Sequence, residues 1–478
     1  MRTTFPRKSI LVACLFAGCF SFALAQAQDI GHKASRALSR FTGDPQLAYA
    51  AVSFSLLDGR SGQVIYSLNG HMGLAPASCR KIITAASAFS ILGADYRFQT
   101  GLGYSGQLKD GLLTGDLVIS GTGDPTLGSW RYPETSVDTI LQHWVDAVRR
   151  AGIRQIQGKI VGDASAFESQ MPPDGWIWQD MGNYYGAGAS GLSWHENQYD
   201  LHLQPASHMG GPVRIVGTDP PVSLQFINEL KTGSAGSGDQ TYIYAAPYST
   251  LAYLRGTAPA GARNFTVSGA LTRPALLCAR QLEEALKGAQ IGISQKATSL
   301  REMQIQGQSL PGPLIPISTH WSPSLDSIIY WFLHRSINLY GEQLIRTFAR
   351  ETGQPGSNEA GLSVEKKWWV DRGIPQGALQ LADGSGLSPG TRVTTHALAR
   401  ILYLAEKQPW YARYRECFPI IHGIRMKSGH INGVCAYSGF LTGSGGVPLI
   451  FSFIVNNYTG SSSGVNSKMF AVLDALAK

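Results

Sequence analysis

The spacing of apolar residues changes several times along the chain, and each change marks an element. Ala51–Leu57 and Gly62–Leu68 alternate as strands on either side of Asp58-Gly59, a dipeptide suited to a tight hairpin turn. From Ser78 the period lengthens: Ile82, Ile83, Ala86 and Phe89 fall at helical spacing until Gly93 ends the run. Residues 95–314 read differently. They are rich in Gly, Pro, Ser, Thr and aromatics, with short runs such as Leu117-Val118-Ile119, so they are expected to be mainly β, with helices near Thr139–Arg149 and Ala275–Lys287. Beyond residue 320 Leu325, Ile328, Ile329, Phe332 and Leu333 form one apolar stripe, and helices are expected again over Gln343–Glu351 and Thr395–Glu406. Two strands, Gly433–Leu441 and Val447–Asn456, and an amphipathic helix over about Asn466–Leu476 close the chain. The pattern predicts an α+β fold. Helices lie on an antiparallel sheet built from residues 26–94 and 315–478, a split domain interrupted by a large, mainly β insertion over 95–314.

Composition removes several classes. Apolar residues are 44% of the 478, enough for a sizeable core, and charged residues are 15% against roughly 25% in an average domain. That excludes wholesale disorder and argues against a coiled coil. Residues 1–25 read as an export signal: Arg2, Arg7 and Lys8 precede the apolar stretch Ser9–Phe22, and Ala23-Leu24-Ala25 offers a cleavage site. The stretch is shorter than the 17 to 25 residues or so of a spanning helix, and Cys14 and Cys19 sit in poor lipid-attachment contexts. Cleavage takes the net charge from +8 to +5 and leaves Cys79, Cys278, Cys417 and Cys435, too few for a disulfide scaffold. A Cys417–Cys435 bridge stays open. The basic residues are scattered, so nucleic acid is not expected as a partner, and membrane association would be peripheral at most. There is no H-E-x-x-H or ligand-spaced histidine pair, and Gly121-Thr122-Gly123 lacks the rest of a nucleotide fingerprint. Neither metal nor cofactor is expected.

Three short motifs carry candidate chemistry. In Ser78-Cys79-Arg80-Lys81 the spacing of one helical turn puts the hydroxyl and the amine on one face. Burial and the positive end of the helix dipole would both favour the neutral amine, which can take a proton from serine. Taken alone the same residues make an ordinary helix cap. Ser336-Ile337-Asn338 lies between two patterned helices, where a hydroxyl could relay protons and an amide could hold a peptide carbonyl; a polar turn is its plain alternative. Lys427-Ser428-Gly429 precedes the strand Val434–Leu441. There a lysine and a hydroxyl suit a terminal carboxylate, and glycine lets an extended ligand approach the backbone. Cys79 reads as an inert, packed thiol.

The three in this order, S-x-x-K, S-x-N and K-[ST]-G, form the signature of penicillin-recognising serine enzymes. Ser78 and Ser336 are 258 residues apart, far more than compact β-lactamases allow. With Gly123-Asp124-Pro125-Thr126-Leu127, Asn183–Gly188 and Asp383–Ser388, the chain resembles the D-alanyl-D-alanine carboxypeptidase/endopeptidase family, the class C penicillin-binding proteins of the penicillin-binding protein 4 type. The resemblance implies a penicillin-binding transpeptidase/β-lactamase-like domain with two modules inserted between the first and second motifs, and hydrolysis of peptidoglycan stem peptides in the periplasm, with β-lactams as covalent inhibitors. It implies Ser78 as nucleophile, Lys81 as general base and Ser336 as proton relay. Asn338, Lys427 and Ser428 would bind substrate, and Asp180 would be a rim carboxylate meeting the substrate's side-chain amine. Ser428 stands where threonine is commoner. A β-lactamase would need fast deacylation and a shorter chain. A silent wall-binding or β-lactam-sensing protein would have no use for Lys81 and Ser336.

Overall fold

The computed structural model describes residues 26–477, and the export signal expected over 1–25 lies outside them. The described chain forms two compact units. One comprises residues 26–83, 369–380 and 391–477, the other 84–368 and 381–390.

In the first unit an antiparallel sheet runs in spatial order Ile420–Ile421, Ile424–Ile431, Val434–Thr442, Pro448–Asn456, Ala51–Asp58 and Val64–Leu68. Ala51–Asp58 is buried along almost its whole length, so both faces of this central strand must be covered. Because side chains alternate, Val52, Phe54 and Leu56 turn to one face and Ser53 and Ser55 to the other. The first set packs with Phe451, Phe453 and Val455 under two helices. One, over residues 26–42, contributes Ile30, Ala34, Leu38 and Phe41. The other, Ser462–Ala477, contributes Val465, Met469 and Leu473. Phe54 and Phe453 meet edge to face with ring centroids 5.2 Å apart. On the opposite face the Ser53 and Ser55 hydroxyls lie 2.7 and 2.9 Å from the Thr395 hydroxyl, on the helix Thr395–Glu406. Buried hydroxyls need partners, and this trio supplies them.

The second unit holds two β cores. A seven-stranded mixed sheet around the hairpin Gln99–Lys109 and Leu112–Gly121 carries the helices Val137–Arg150 and Pro274–Gly288 on shared apolar packing. Two smaller sheets, of three and four strands, share a separate core that includes Tyr199, Leu201, Ile243 and Leu254. The helices Leu325–His334 and Asn338–Glu351 belong to this unit as well.

Most predicted elements are present, and the differences are informative. The helix over 26–42 was not expected, because its stripe is narrow and includes an alanine. Asn358–Val370 was also missed, while Lys427-Ser428-Gly429 lies on the strand Ile424–Ile431, directly before the strand that begins at Val434. Cys417 and Cys435 are buried thiols that do not form a bridge. Among the described residues no helix is long and apolar enough to cross a membrane. Phe54→Ala is expected to lower stability by about 3–5 kcal/mol in denaturant unfolding. A loss below about 1 kcal/mol would show that the sheet does not depend on this ring.

Candidate active site

Within the first unit, chain geometry gathers two of the three motifs. Ala77–Arg80 is a single 3-10 turn and the α-helix proper, Lys81–Ile91, begins at Lys81. The sequence had placed Ser78 at the helix start; the tighter turn shifts that start three residues on. Ala77 precedes Ser78 with φ +44°, a left-handed conformation that costs a non-glycine residue and recurs at functional sites. The Lys81 Nζ donates to Ser78 Oγ at 3.0 Å. Lys81 has no exposed surface, whereas Ser78 keeps part of its own. An amine in its neutral form at this distance can accept the hydroxyl proton as the oxygen attacks.

The strand Ile424–Ile431 lies against this turn. A Cβ on Gly429 would fall 2.4 Å from the Pro76 carbonyl oxygen and 2.9 Å from the amide nitrogens of Ser78 and Cys79. Only glycine allows that approach, and the neighbour here is the turn carrying Ser78, a use of the residue the sequence did not show. Lys427, two residues earlier, is buried and donates from Nζ to the Ser428 carbonyl oxygen at 2.8 Å. Burial pulls its amine down to about 8 from 10.5, with the Cys79 thiol opposing. Cys79 donates from Sγ to the Lys427 carbonyl oxygen at 3.2 Å, and burial pushes its thiol up to about 12. At neutral pH it is a packed thiol, as the sequence suggested.

The second unit holds the remaining candidates. Ser336 closes the helix Leu325–His334 with φ +56°, the left-handed residue that commonly ends a helix. Asn338 then opens the next helix, which starts five residues earlier than its periodicity indicated. The Asn338 Nδ2 donates to the Tyr185 carbonyl oxygen at 2.8 Å. Asp180, on the short helix Trp178–Met181, is half-buried. Burial raises its carboxyl, and a hydrogen bond with the Tyr185 side chain opposes that rise. Tyr185 thus joins two predicted residues, one through its backbone and one through its ring. The sequence reading quoted Asn183–Gly188 without singling it out.

Glu342 was also missed. It sits one helical turn after Asn338, fully buried, and both its carboxylate oxygens accept from the Gly384 amide at 3.1 and 3.0 Å. Burial, with the Asp383 charge beside it, holds its carboxyl above the usual range. Asp383 accepts from the Ser388 amide at 2.7 Å and from the Trp176 indole at 3.1 Å, so Asp383–Ser388 is an internally braced turn. The four-residue interval from Asn338 to Glu342 is the only signal that could have exposed it.

A flanked antiparallel sheet, a serine one turn ahead of a buried lysine, and a Lys-Ser-Gly strand packed on that serine together define a penicillin-recognising serine hydrolase. Residues 34–477 match the D-Ala-D-Ala carboxypeptidase 3 (S13) family, and the chain belongs to it; it is a serine-type D-Ala-D-Ala carboxypeptidase. It is 27% identical over 473 residues to a D-alanyl-D-alanine carboxypeptidase of Actinomadura sp. (strain R39), covering 91% of this chain and 82% of that one. The crystal structure of penicillin binding protein 4 from Haemophilus influenzae shares the fold. Its TM-score is 0.77 at 22% identity, over 92% of this chain and 99% of the other. The same protein complexed with a novel β-lactam matches at a TM-score of 0.72, with the same identity and coverage.

Two outcomes follow from the geometry around Lys427. Gly429→Ala is expected to destabilise the protein by about 1–3 kcal/mol in thermal unfolding, because the new methyl meets backbone atoms that cannot move aside. An unchanged transition would mean that strand and turn separate freely. For Lys427 the folded amine titrates near 8 and the unfolded one near 10.5. Below pH 8 both forms are charged and burial of the charge opposes folding; between 8 and 10.5 the folded form sheds its proton first and the penalty fades. Lys427→Met is therefore expected to be more stable than the parent at pH 7, with an advantage that shrinks across that window. A pH-independent difference would contradict a buried lysine charge.

Proposed function

We propose that the chain is an exported serine D,D-carboxypeptidase that also acts as a D,D-endopeptidase on peptidoglycan stem peptides. The observation that carries this reading is the fully buried Lys81 amine 3.0 Å from the Ser78 hydroxyl. In the proposed reaction Ser78 Oγ attacks the carbonyl carbon of the penultimate D-Ala while Lys81 takes its proton. The bond to the terminal D-Ala breaks as its nitrogen receives that proton from Lys81 through Ser336, leaving an ester on Ser78 and a neutral Lys81. Water then attacks that ester as Lys81 takes the water's proton, and Lys81 returns the proton to Ser78 Oγ as the acyl group leaves as an acid.

Lys427 and Ser428 are assigned to the terminal carboxylate, since a lysine and a hydroxyl suit that group. Asn338 is assigned to the substrate amide and Asp180 to the amine of the stem-peptide side chain. A β-lactam would acylate Ser78 by the same attack, and the β-lactam complex of the Haemophilus influenzae protein supports that assignment. Residues 95–314 are proposed as an insertion into a catalytic domain formed by 26–94 and 315–478. Action in the periplasm follows from the export signal read over residues 1–25. The family match across 34–477 favours this reading over a β-lactamase or a silent binding protein.

The decisive measurement is release of D-Ala from a stem pentapeptide. The parent is expected to release it, and Ser78→Ala to lose at least about a thousandfold in kcat/KM while no longer being labelled by a fluorescent penicillin. Labelling of Ser78→Ala would remove that serine from the mechanism. No D-Ala release by the parent would remove the carboxypeptidase reading.

A further inference from the structure

The second unit contains a cavity of about 220 Å³ that shares no residue with the three motifs. It exceeds the engineered cavity of about 150 Å³ known to hold benzene, so it has room for an organic fragment. One wall is apolar, built from Phe167, Met171, Leu276 and Leu300. The other carries Arg273 and Arg301 together with Glu168 and Glu302. The Arg301 Cζ lies over the Tyr248 ring, 4.0 Å from its centroid, and that ring is anchored by its hydroxyl donating to the Ser169 carbonyl oxygen at 2.8 Å.

Arg301 is unusual in what it lacks. Among the described residues no carboxylate pairs with its part-buried guanidinium. Arg273, beside it, is already answered by Glu302 at 3.4 Å. A second donor set opens on the same space. The helix Pro274–Gly288 begins at the cavity with Arg273 as its N-cap residue, and no side chain caps it. Its first turn bond runs from the Leu277 amide to the Arg273 carbonyl at 3.1 Å, and the Ala275 and Leu276 amides have no acceptor among the described residues. Such amides and the helix dipole favour an anion. Of the four charged lining residues, Arg273 and Glu302 pair with each other and Glu168 is exposed, which leaves Arg301 as the one cation available to a single negative charge.

We propose that this cavity binds a monoanionic carboxylate with a short apolar body, held by Arg301 and the uncapped amides while its body rests on Met171 and Leu276. Peptides ending in D-Ala have this chemistry, and a D,D-carboxypeptidase produces them. That source rests on the reaction proposed above; the binding itself does not.

The test is methyl NMR of the full-length protein, reading the Met171 methyl during titration with N-acetyl-D-alanine, its C-terminal amide and inorganic phosphate. The acid is expected to shift Met171 saturably at about millimolar concentration, with the amide and phosphate at least about tenfold weaker. Arg301→Gln is expected to lose at least about tenfold in affinity for the acid, while Arg301→Lys keeps the preference for acid over amide. The remaining methionine methyls, unchanged in both variants, report that the fold is intact. If they do change, the acid, amide and phosphate series on the parent protein decides alone. The proposal is overturned by no saturable shift with the acid, by equal binding of acid and amide, by tighter binding of phosphate, or by undiminished affinity in a folded Arg301→Gln.

Discussion

A lysine side chain with no exposed surface holds a serine hydroxyl at 3.0 Å, and much of the first unit exists to make that contact possible. A buried amine has to be surrounded, and a reactive hydroxyl has to remain reachable. The 3-10 turn Ala77–Arg80 meets both demands by tightening the chain just before the helix, so that Lys81 starts inside while Ser78 stays at the surface. The strand carrying Lys427 closes on the other side of the turn, and it can come that near only because position 429 has no side chain. Two lysines are thus held in the same small volume as one thiol, and desolvation rather than ion pairing governs the titration of Lys427 and Cys79.

Sequence made the local part of this arrangement visible. Ser78 and Lys81 are three residues apart, and helical geometry alone puts them side by side. Lys427, Ser428 and Gly429 are consecutive and stand directly before a strand that the pattern predicts. The glycine's purpose, however, depends on Pro76 and Ser78, far away in the chain, and period analysis cannot see that neighbour. Tyr185 was hidden for the same reason: its role is created by Asn338, on a helix reached only after two β cores. Glu342 was hidden differently. Its helix was expected to start at Gln343, because buried Glu342 and Tyr340 do not look like an apolar stripe.

The helix over 26–42 shows a further limit. Ile30, Ala34, Leu38 and Phe41 mark a real face, but a stripe so narrow, with alanine in it, gives a weak period. The fold class survived this omission because the sheet beneath is specified by long alternating or fully apolar strands. Such strands tolerate little ambiguity, since a shift of one residue would turn Phe54 and Leu56 toward the serine-bearing face.

The central strand has one more consequence, for the order in which the molecule is made. Ala51 pairs with Asn456 and Asp58 with Leu449, so the first strand of the sheet, which meets Val64–Leu68 at once, finds its other neighbour only when nearly the whole chain has been synthesised. Residues 84–368 have cores of their own and no such wait. During translation or translocation the early segment, with its exposed Phe54 edge, must be kept from pairing elsewhere for the longest time. Long-range pairing of this kind folds slowly, and the last sixty or so residues act as the event that completes the nucleophile's surroundings.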